Sequence, residues 1–261
     1  MTGRGDHVPI ALTVAGSDSG GGAGIQADLK TFAARRVFGT SAIAALTAQN
    51  TRGVVAVRGV AAGFVRAQID AVIEDIGVDA AKVGMLGVAA TVAEVADAVE
   101  AHRIRRLTVD PVMVAKGGER LLGSRAVDVL RARLLPLAEV VTPNLAEATA
   151  LVGFPVVDVG SMQEAARALI RMGAHAAVVT GGHLCGDAID VLVTGRGTVV
   201  LRARRIAVAP PHGTGCTFSA AVAAERAKGV PLEAAVRAAK RYTTERIRRA
   251  RRIGAGHPIL V

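Results

Sequence analysis

The chain has 261 residues, half of them hydrophobic, with one Tyr, five Phe and no Trp, which fits one large α/β domain, residues 1–261, whose core is packed by Ala, Val, Leu and Ile. The formal charge is +10, but only five of the 32 basic residues are Lys, and many Arg residues gather between Arg237 and Arg252; with so few aromatics to stack bases, this reads as a solvated helix face and not a nucleic-acid interface. Two cysteines make no disulfide framework, no run reaches the ~18 apolar residues of a membrane helix, and no signal peptide precedes the first strand, so a reduced, cytoplasmic protein without nucleic-acid or membrane partners is expected.

In chain order, residues 8–15 read as a buried strand ending at Gly16. Residues 23–36 read as an amphipathic helix with Ile25, Leu29 and Phe32 on one face. Strands are predicted at 40–47, 80–85, 106–112, 139–142 and 176–180. Helices are predicted at 64–76, 89–102, 124–134, 145–152 and 162–172. Residues 189–194 and 198–208 read as antiparallel strands around Thr194-Gly195-Arg196-Gly197, and 214–228 and 232–251 as two closing helices. Short apolar strands alternating with helices predict a mainly parallel sheet covered on both faces, with a small antiparallel edge. Ligands in such sheets bind where strands end and loops begin. The informative loops follow predicted strands, at 16–24, 48–53, 84–87, 110–118, 143–144 and 181–182.

Residues His212-Gly213-Thr214-Gly215-Cys216 lead into a helix. The N–H groups of a helix's first turn have no partner inside it, and the dipole makes that end positive. Such a turn holds a phosphate or a developing oxyanion, and glycine lets the backbone come close; a plain glycine turn entering an Ala-rich helix has the same letters. The first loop, residues 16–24, carries four glycines in five residues, at positions 20, 21, 22 and 24. It fits neither a dinucleotide fingerprint nor a P-loop, yet it permits close approach to a ligand. Asn144 with Glu147 spells a capping-box variant. Gln49 follows an apolar strand, where its amide could donate and accept at once. Met85 is core filler or a pocket wall. Asp110 before Pro111 is a strand-end turn residue or a group beside a metal. A thiol at a helix N-terminus, as at Cys216, is expected to have its pKa lowered; a buried structural Cys is the alternative. Cys185 has no such setting.

Seven runs resemble, in order, the motifs of the hydroxymethylpyrimidine/phosphomethylpyrimidine kinases of thiamine biosynthesis, within the ribokinase-like superfamily. They are residues 13–28 (TVAGSDSGGGAGIQAD), 46–51 (LTAQNT), 83–86 (VGML), 110–116 (DPVMVAK), 142–148 (TPNLAEA), 181–183 (GGH) and 212–217 (HGTGCT). The resemblance implies a ribokinase-like three-layer αβα fold without a large lid. It implies that Gly16, Asp18 and Gly24 line a pyrimidine pocket, that Gln49 reads the pyrimidine, and that Met85 and Val112 form apolar walls. It places Asp110, Lys116, Asn144, Glu147, Thr180, Gly182 and His212 on the ATP side, with Glu147 and Asp110 near Mg²⁺. Gly213, Thr214, Gly215 and Cys216 would hold the transferring phosphoryl, with Cys216 either taking the alcohol's proton or donating only its N–H. A second phosphorylation, of the monophosphate, would be helped by Lys116 or His212, and the family resemblance also implies a homodimer. A pyridoxal or pyridoxine kinase and a non-catalytic pyrimidine-binding paralogue are the competing functions.

The chain departs from the family pattern at Thr180, where Lys is usual before Gly-Gly-His. It departs at residues 207–211 (AVAPP), which carry few hydrogen-bond donors, and at the unusual end 254–261 (GAGHPILV). Glu119 stands where Asp is common. Most of these departures lie on the nucleotide side.

Overall fold

Residues 7–114, 118 and 121–260 are described in the computed structural model, and within them nine strands form one mixed sheet. The strands are β1 (Ile10–Asp18), β2 (Phe38–Asn50), β3 (Gly53–Gly59), β4 (Ala80–Val83), β5 (Leu107–Val109), β6 (Val140–Val141), β7 (Ala177–Gly181), β8 (Ala188–Thr194) and β9 (Gly197–Ala203). Their spatial order is β3-β2-β1-β4-β5-β6-β7-β8-β9. Neighbours from β2 through β7 are parallel, and the pairs β2–β3, β7–β8 and β8–β9 are antiparallel. The helices are α1 (Gly24–Ala34), α2 (Ala62–Asp75), α3 (Ala89–Ala101), α4 (Ser124–Val129), α5 (Leu145–Val152), α6 (Val159–Arg171), α7 (Thr214–Ala227) and α8 (Leu232–Arg248). The predicted helix at 124–134 is α4 followed by a π-helical turn at Leu130–Leu134.

Alternation along the strands assigns each helix to a face. Leu12 and Val14 of β1, Ala81 and Val83 of β4, and Val179 of β7 join the large cluster that includes Val65 and Ile69 of α2, Val92 and Val95 of α3, Leu151 of α5 and Met162 of α6. On the opposite face, Ala11 and Ala80 pack with Phe32 of α1 and Ala220, Ala223 and Ala224 of α7. Val140, Val178 and Leu192 pack there with Phe218 and Val222 of α7 and Val236 of α8. The result is three layers, as expected.

Two sequence expectations change. The strand predicted at 40–47 runs to Asn50, and β3, unassigned from the sequence, pairs with it antiparallel. The sheet therefore has two antiparallel edges, and the expected loop at 48–53 shrinks to a tight turn. Most of β3 is exposed, with Val55 79 % accessible, so it lacks the buried alternation that marks a strand and is held by its ladder to β2. The strand predicted at 198–208 ends at Ala203.

One ion pair lies inside this apolar body. Lys82 of β4 and Asp28 of α1 are both fully buried, with Nζ 2.9 Å from Oδ2 and 3.1 Å from Oδ1. The Thr13 hydroxyl donates to the same carboxylate at 2.7 Å. Removing one member of a buried pair strands the other charge, whereas replacing both by apolar groups is often nearly neutral. Lys82→Met should therefore lower unfolding free energy in urea by about 3–5 kcal/mol, and adding Asp28→Leu should recover most of that loss.

Candidate active site

The carboxyl ends of β1, β4, β5, β6 and β7 lie along one edge of the parallel sheet, and the loops that leave them build the site. The register of β1 against β2 shifts between Ala15 and Gly16, a bulge that re-aims the chain as it leaves the strand. Asp18 then folds the glycine loop. Its Oδ1 accepts from the Gly20 N–H at 2.8 Å, and its Oδ2 accepts from Gly22 and Ala23 at 3.0 and 2.8 Å. Burial works against this carboxylate's charge, but the His212 ring and the N–H groups of Ala23 and Gly20 outweigh it and hold its pKa below the ordinary value. Asp18 is only 3 % exposed. Its oxygens are engaged by its own loop and by His212, so within this structure Asp18 shapes the glycine loop.

The two glycine-rich corners meet. Gly213 is the N-cap of α7 at φ 82°, and a Cβ there would lie 1.8 Å from the Gly22 carbonyl oxygen. A Cβ on Gly22 would lie 2.9 Å from the His212 ring. Gly24, at φ 55°, leaves no room for a Cβ against the Gly16 carbonyl, and Gly16 packs on Met85. Gln49 closes the group from β2, with its Nε2 2.7 Å from His212 Nε2. Gly24 thus packs on Gly16 and Gly16 on Met85, while Gln49 reaches the same corner through His212. His212, expected on the ATP side, stands instead with Gln49 and Asp18, 3.4 Å from the Asp18 Oδ2.

Behind the α7 N-terminus lies a buried charged cluster. Ser219 donates to the Asp110 Oδ2 at 2.9 Å, and a Cβ on Gly215 would lie 4.0 Å from that same oxygen. Burial lowers the proton affinity of Lys82, but Asp28, Cys216 and Asp110 outweigh it and keep the ammonium above its ordinary pKa. Burial raises Asp110, opposed by Lys82 and Ser219. The Cys216 thiol is pushed up to about 12, chiefly by desolvation, with Lys82 and the Gly24 N–H opposing and Asp110 and Asp28 reinforcing the rise. The expected thiolate is thus corrected. The helix terminus alone favours the anion, but burial beside two carboxylates wins. Lys82 and Asp28 belong to no expected set of site residues; the available signal was a Lys inside the otherwise apolar strand Ala80-Ala81-Lys82-Val83.

On the far side of Asp110, Asn144 and Glu147 make the capping box of α5, with both reciprocal bonds present. Burial pushes the Glu147 carboxyl up to about 8, with Asp110 adding to the rise and the N–H groups of Asn144 and Met113 opposing. Asp110 and Glu147 thus form a pair of interacting, buried hard-oxygen donors. Such a set suits Mg²⁺, which takes one or two carboxylates and fills its shell with water and phosphate. Among the described residues no group of three His, Cys, Asp or Glu could hold a metal. Asn144 bridges to Thr180, whose hydroxyl lies 3.4 Å from the Pro143 carbonyl. Gly182 is exposed and its carbonyl accepts from Arg205 at 2.8 Å. Val112 is half-buried. Lys116 and Glu119 lie outside the described residues.

A three-layer sheet whose strand ends face a glycine-lined helix N-terminus is the architecture of the ribokinase-like kinases, enzymes of phosphoryl transfer. The family model for phosphomethylpyrimidine kinase matches residues 18–260, and the chain belongs to that family. The hydroxymethylpyrimidine/phosphomethylpyrimidine kinase of Rhizobium meliloti is 54 % identical over 95 % of this chain and 93 % of its own. The thiamine biosynthesis bifunctional protein ThiED of Geobacter sulfurreducens is 52 % identical over 94 % of this chain, which spans only half of that longer relative. Among solved structures, an ADP complex of Bacillus subtilis pyridoxal kinase superposes with a TM-score of 0.91 at 39 % identity, covering 97 % of each chain.

Two measurements check the electrostatics. Cys185 is exposed and Cys216 half-buried with a raised pKa, and the thiolate is the form that alkylates. Iodoacetamide at neutral pH should therefore modify Cys185 well before Cys216, as read by peptide mass spectrometry. The raised pKa of Glu147 means that its contribution to stability is complete below the unfolded value of 4.5 and is lost as pH climbs towards about 8. Without divalent cations, the native protein should lose a few kcal/mol relative to Glu147→Gln across that window in urea denaturation.

Proposed function

We propose that this chain transfers the γ-phosphoryl group of ATP to the primary alcohol of 4-amino-5-hydroxymethyl-2-methylpyrimidine, and then phosphorylates the monophosphate, in thiamine biosynthesis. The observation that carries this reading is the contact of Gly213 with Gly22, which puts the anion-binding end of α7 beside the glycine loop that leaves β1. The pyrimidine rests against Gly16, Gly24, Met85 and Val112. Gln49 pairs with its ring nitrogen and exocyclic amine, since one amide can donate and accept together. The N–H groups of Gly213, Thr214, Gly215 and Cys216 hold the transferring phosphoryl group. A loose transition state rewards such positioning and charge neutralisation over a strong base.

With its thiol held protonated by burial, Cys216 serves the transfer through its backbone N–H in the phosphoryl cradle. Asn144, Thr180 and Gly182 border the nucleotide, with Lys116 adding a cation. Asp110 and Glu147 hold Mg²⁺ through water; the ion supplies charge neutralisation on the phosphates. We further take residues 1–261 as one kinase domain, working in the cytoplasm as a homodimer without nucleic-acid partners. The exposed apolar side chains Val55 and Val57 of β3 and Phe64 of α2 support the dimer. Among the described residues no helix is long and apolar enough to cross a membrane.

The likeness to the pyridoxal kinase structure favours a second reading, in which the alcohol is pyridoxal. Purified protein with ATP, Mg²⁺ and each alcohol separates the two by ADP release. Turnover is expected with the hydroxymethylpyrimidine and its phosphate, with pyridoxal at least about tenfold poorer in kcat/KM. Equal or better turnover of pyridoxal would transfer the assignment to that substrate, and binding of the pyrimidine without ADP release would make the chain a non-catalytic binder.

A further inference from the structure

The segment at 251–260 lies against the site from outside, and no role in the proposed reaction uses it. Arg251 and Ile259 exchange backbone bonds, N to O, at 3.0 and 2.9 Å, which closes the segment into a loop. One side of that loop grips the turn after β2. The His257 N–H donates to the Thr51 carbonyl at 2.7 Å, and the Gly256 N–H to the Thr51 hydroxyl at 3.1 Å. The fit is close: a Cβ on Gly256 would lie 1.9 Å from the Thr51 carbonyl oxygen, and one on Gly254 would lie 2.4 Å from the Thr51 Oγ1. The other side grips the residue before the anion turn. The His212 N–H donates to the Pro258 carbonyl at 2.8 Å, and Ile259, nearly fully buried, packs towards Gly22.

These two grips fall on either side of one side-chain contact. Thr51 stands two residues beyond Gln49, and His212 is the ring that Gln49 meets at 2.7 Å. The His212 Nε2 faces both the Gln49 amide, at 2.7 Å, and the Asp18 Oδ2, at 3.4 Å. The Thr47 hydroxyl lies 3.2 Å from the Gln49 Oε1 and 2.9 Å from the Ser17 carbonyl. The amide is thereby held between His212 and Thr47, which leaves an N–H and an Oε1 lone pair for a ligand. A free glutamine would present either end, and a ligand that needs one donor and one acceptor in fixed order would bind it less well.

The geometry points to the segment Arg251–Leu260 as a strap that positions the Gln49 amide, through His212 and the Thr51 turn, for an alcohol whose ring offers an acceptor beside a donor. His212 and the strap are positioning groups, and the choice of ring as ligand rests on the proposed function above. The strap acts on recognition of the alcohol and leaves the phosphate cradle of α7 alone.

Gly254→Ala tests this, because its new methyl meets only side-chain atoms of Thr51, and Thr51→Ala removes the two that stand closest. In the unliganded enzyme, Gly254→Ala should shift the side-chain NH₂ resonance of Gln49 and the ring ¹⁵N resonances of His212, and the double variant should return them towards the Thr51→Ala positions. In turnover, Gly254→Ala should raise KM for the pyrimidine about tenfold while KM for ATP and kcat stay within about twofold. The double variant should recover the KM of Thr51→Ala, a non-additive cycle. Unmoved Gln49 and His212 resonances would overturn the strap, as would a loss shared equally by kcat and KM for ATP. If the resonances shift and recover as described while the native enzyme turns over neither pyrimidine nor pyridoxal, the strap stands and the substrate assignment falls.

Discussion

The absence of side chains between Gly22 and Gly213 is the constraint on which the site depends. Two backbones that begin nearly two hundred residues apart approach so closely that a Cβ at Gly213 would collide with a carbonyl oxygen. The remaining contacts follow from that approach. His212 can lie over Gly22 and reach Gln49 because Gly22 offers no side chain. The Gly24 N–H can face the Cys216 sulfur because α1 and α7 begin side by side. Asp18 prepares one half of the joint by pulling three N–H groups of its loop inwards. The φ of 82° at Gly213, a left-handed value, turns the other half into α7.

Beneath the joint, one lysine serves several acids. Lys82 is paired with Asp28 and feels both Asp110 and the Cys216 sulfur. Desolvation, with the repulsion of neighbouring acids added to it, raises the proton affinity of Asp110, Glu147 and Cys216. The unliganded site is short of positive charge, which is the condition in which a divalent cation gains most from the carboxylates it meets. The positive end of α7 is directed at the opposite need, the negative charge of a phosphate. One site therefore attracts a metal on one flank and an anion on the other.

Much of this was legible in the sequence, for reasons that can be assigned residue by residue. Buried parallel strands are short apolar runs, so β1, β4 and β7 declared themselves, and the Asn144-Glu147 box announced α5 at its own first residue. The glycine corners were visible because four glycines in five positions fill no core. What escaped depends on distance or burial. The strand β3 is exposed on most of its length and owes its existence to hydrogen bonds with β2. The pairing of Lys82 with Asp28 joins positions 54 apart, and nothing local foretells it. The thiol of Cys216 looked acidic from its place at a helix start and became the reverse once desolvation was counted. Asp18 and His212 have residue types that suit ligand contact, and only the fold reveals that each is engaged with the other.

The poverty in aromatics, a mere curiosity of composition at first, acquires a mechanical meaning in α7. Ten of its fourteen residues are buried, and Ala220, Ala221, Ala223, Ala224 and Ala227 are among them. Methyl-sized side chains set the thickness of the layer between this helix and the sheet, so the helix works as a spacer gauge whose tip is the anion cradle. Bulk added anywhere along its inner face would be transmitted by the rigid rod to Gly213, which has no slack against Gly22. Tolerance of the catalytic corner to drift is thus governed many ångströms away, by alanines that never approach a reactant.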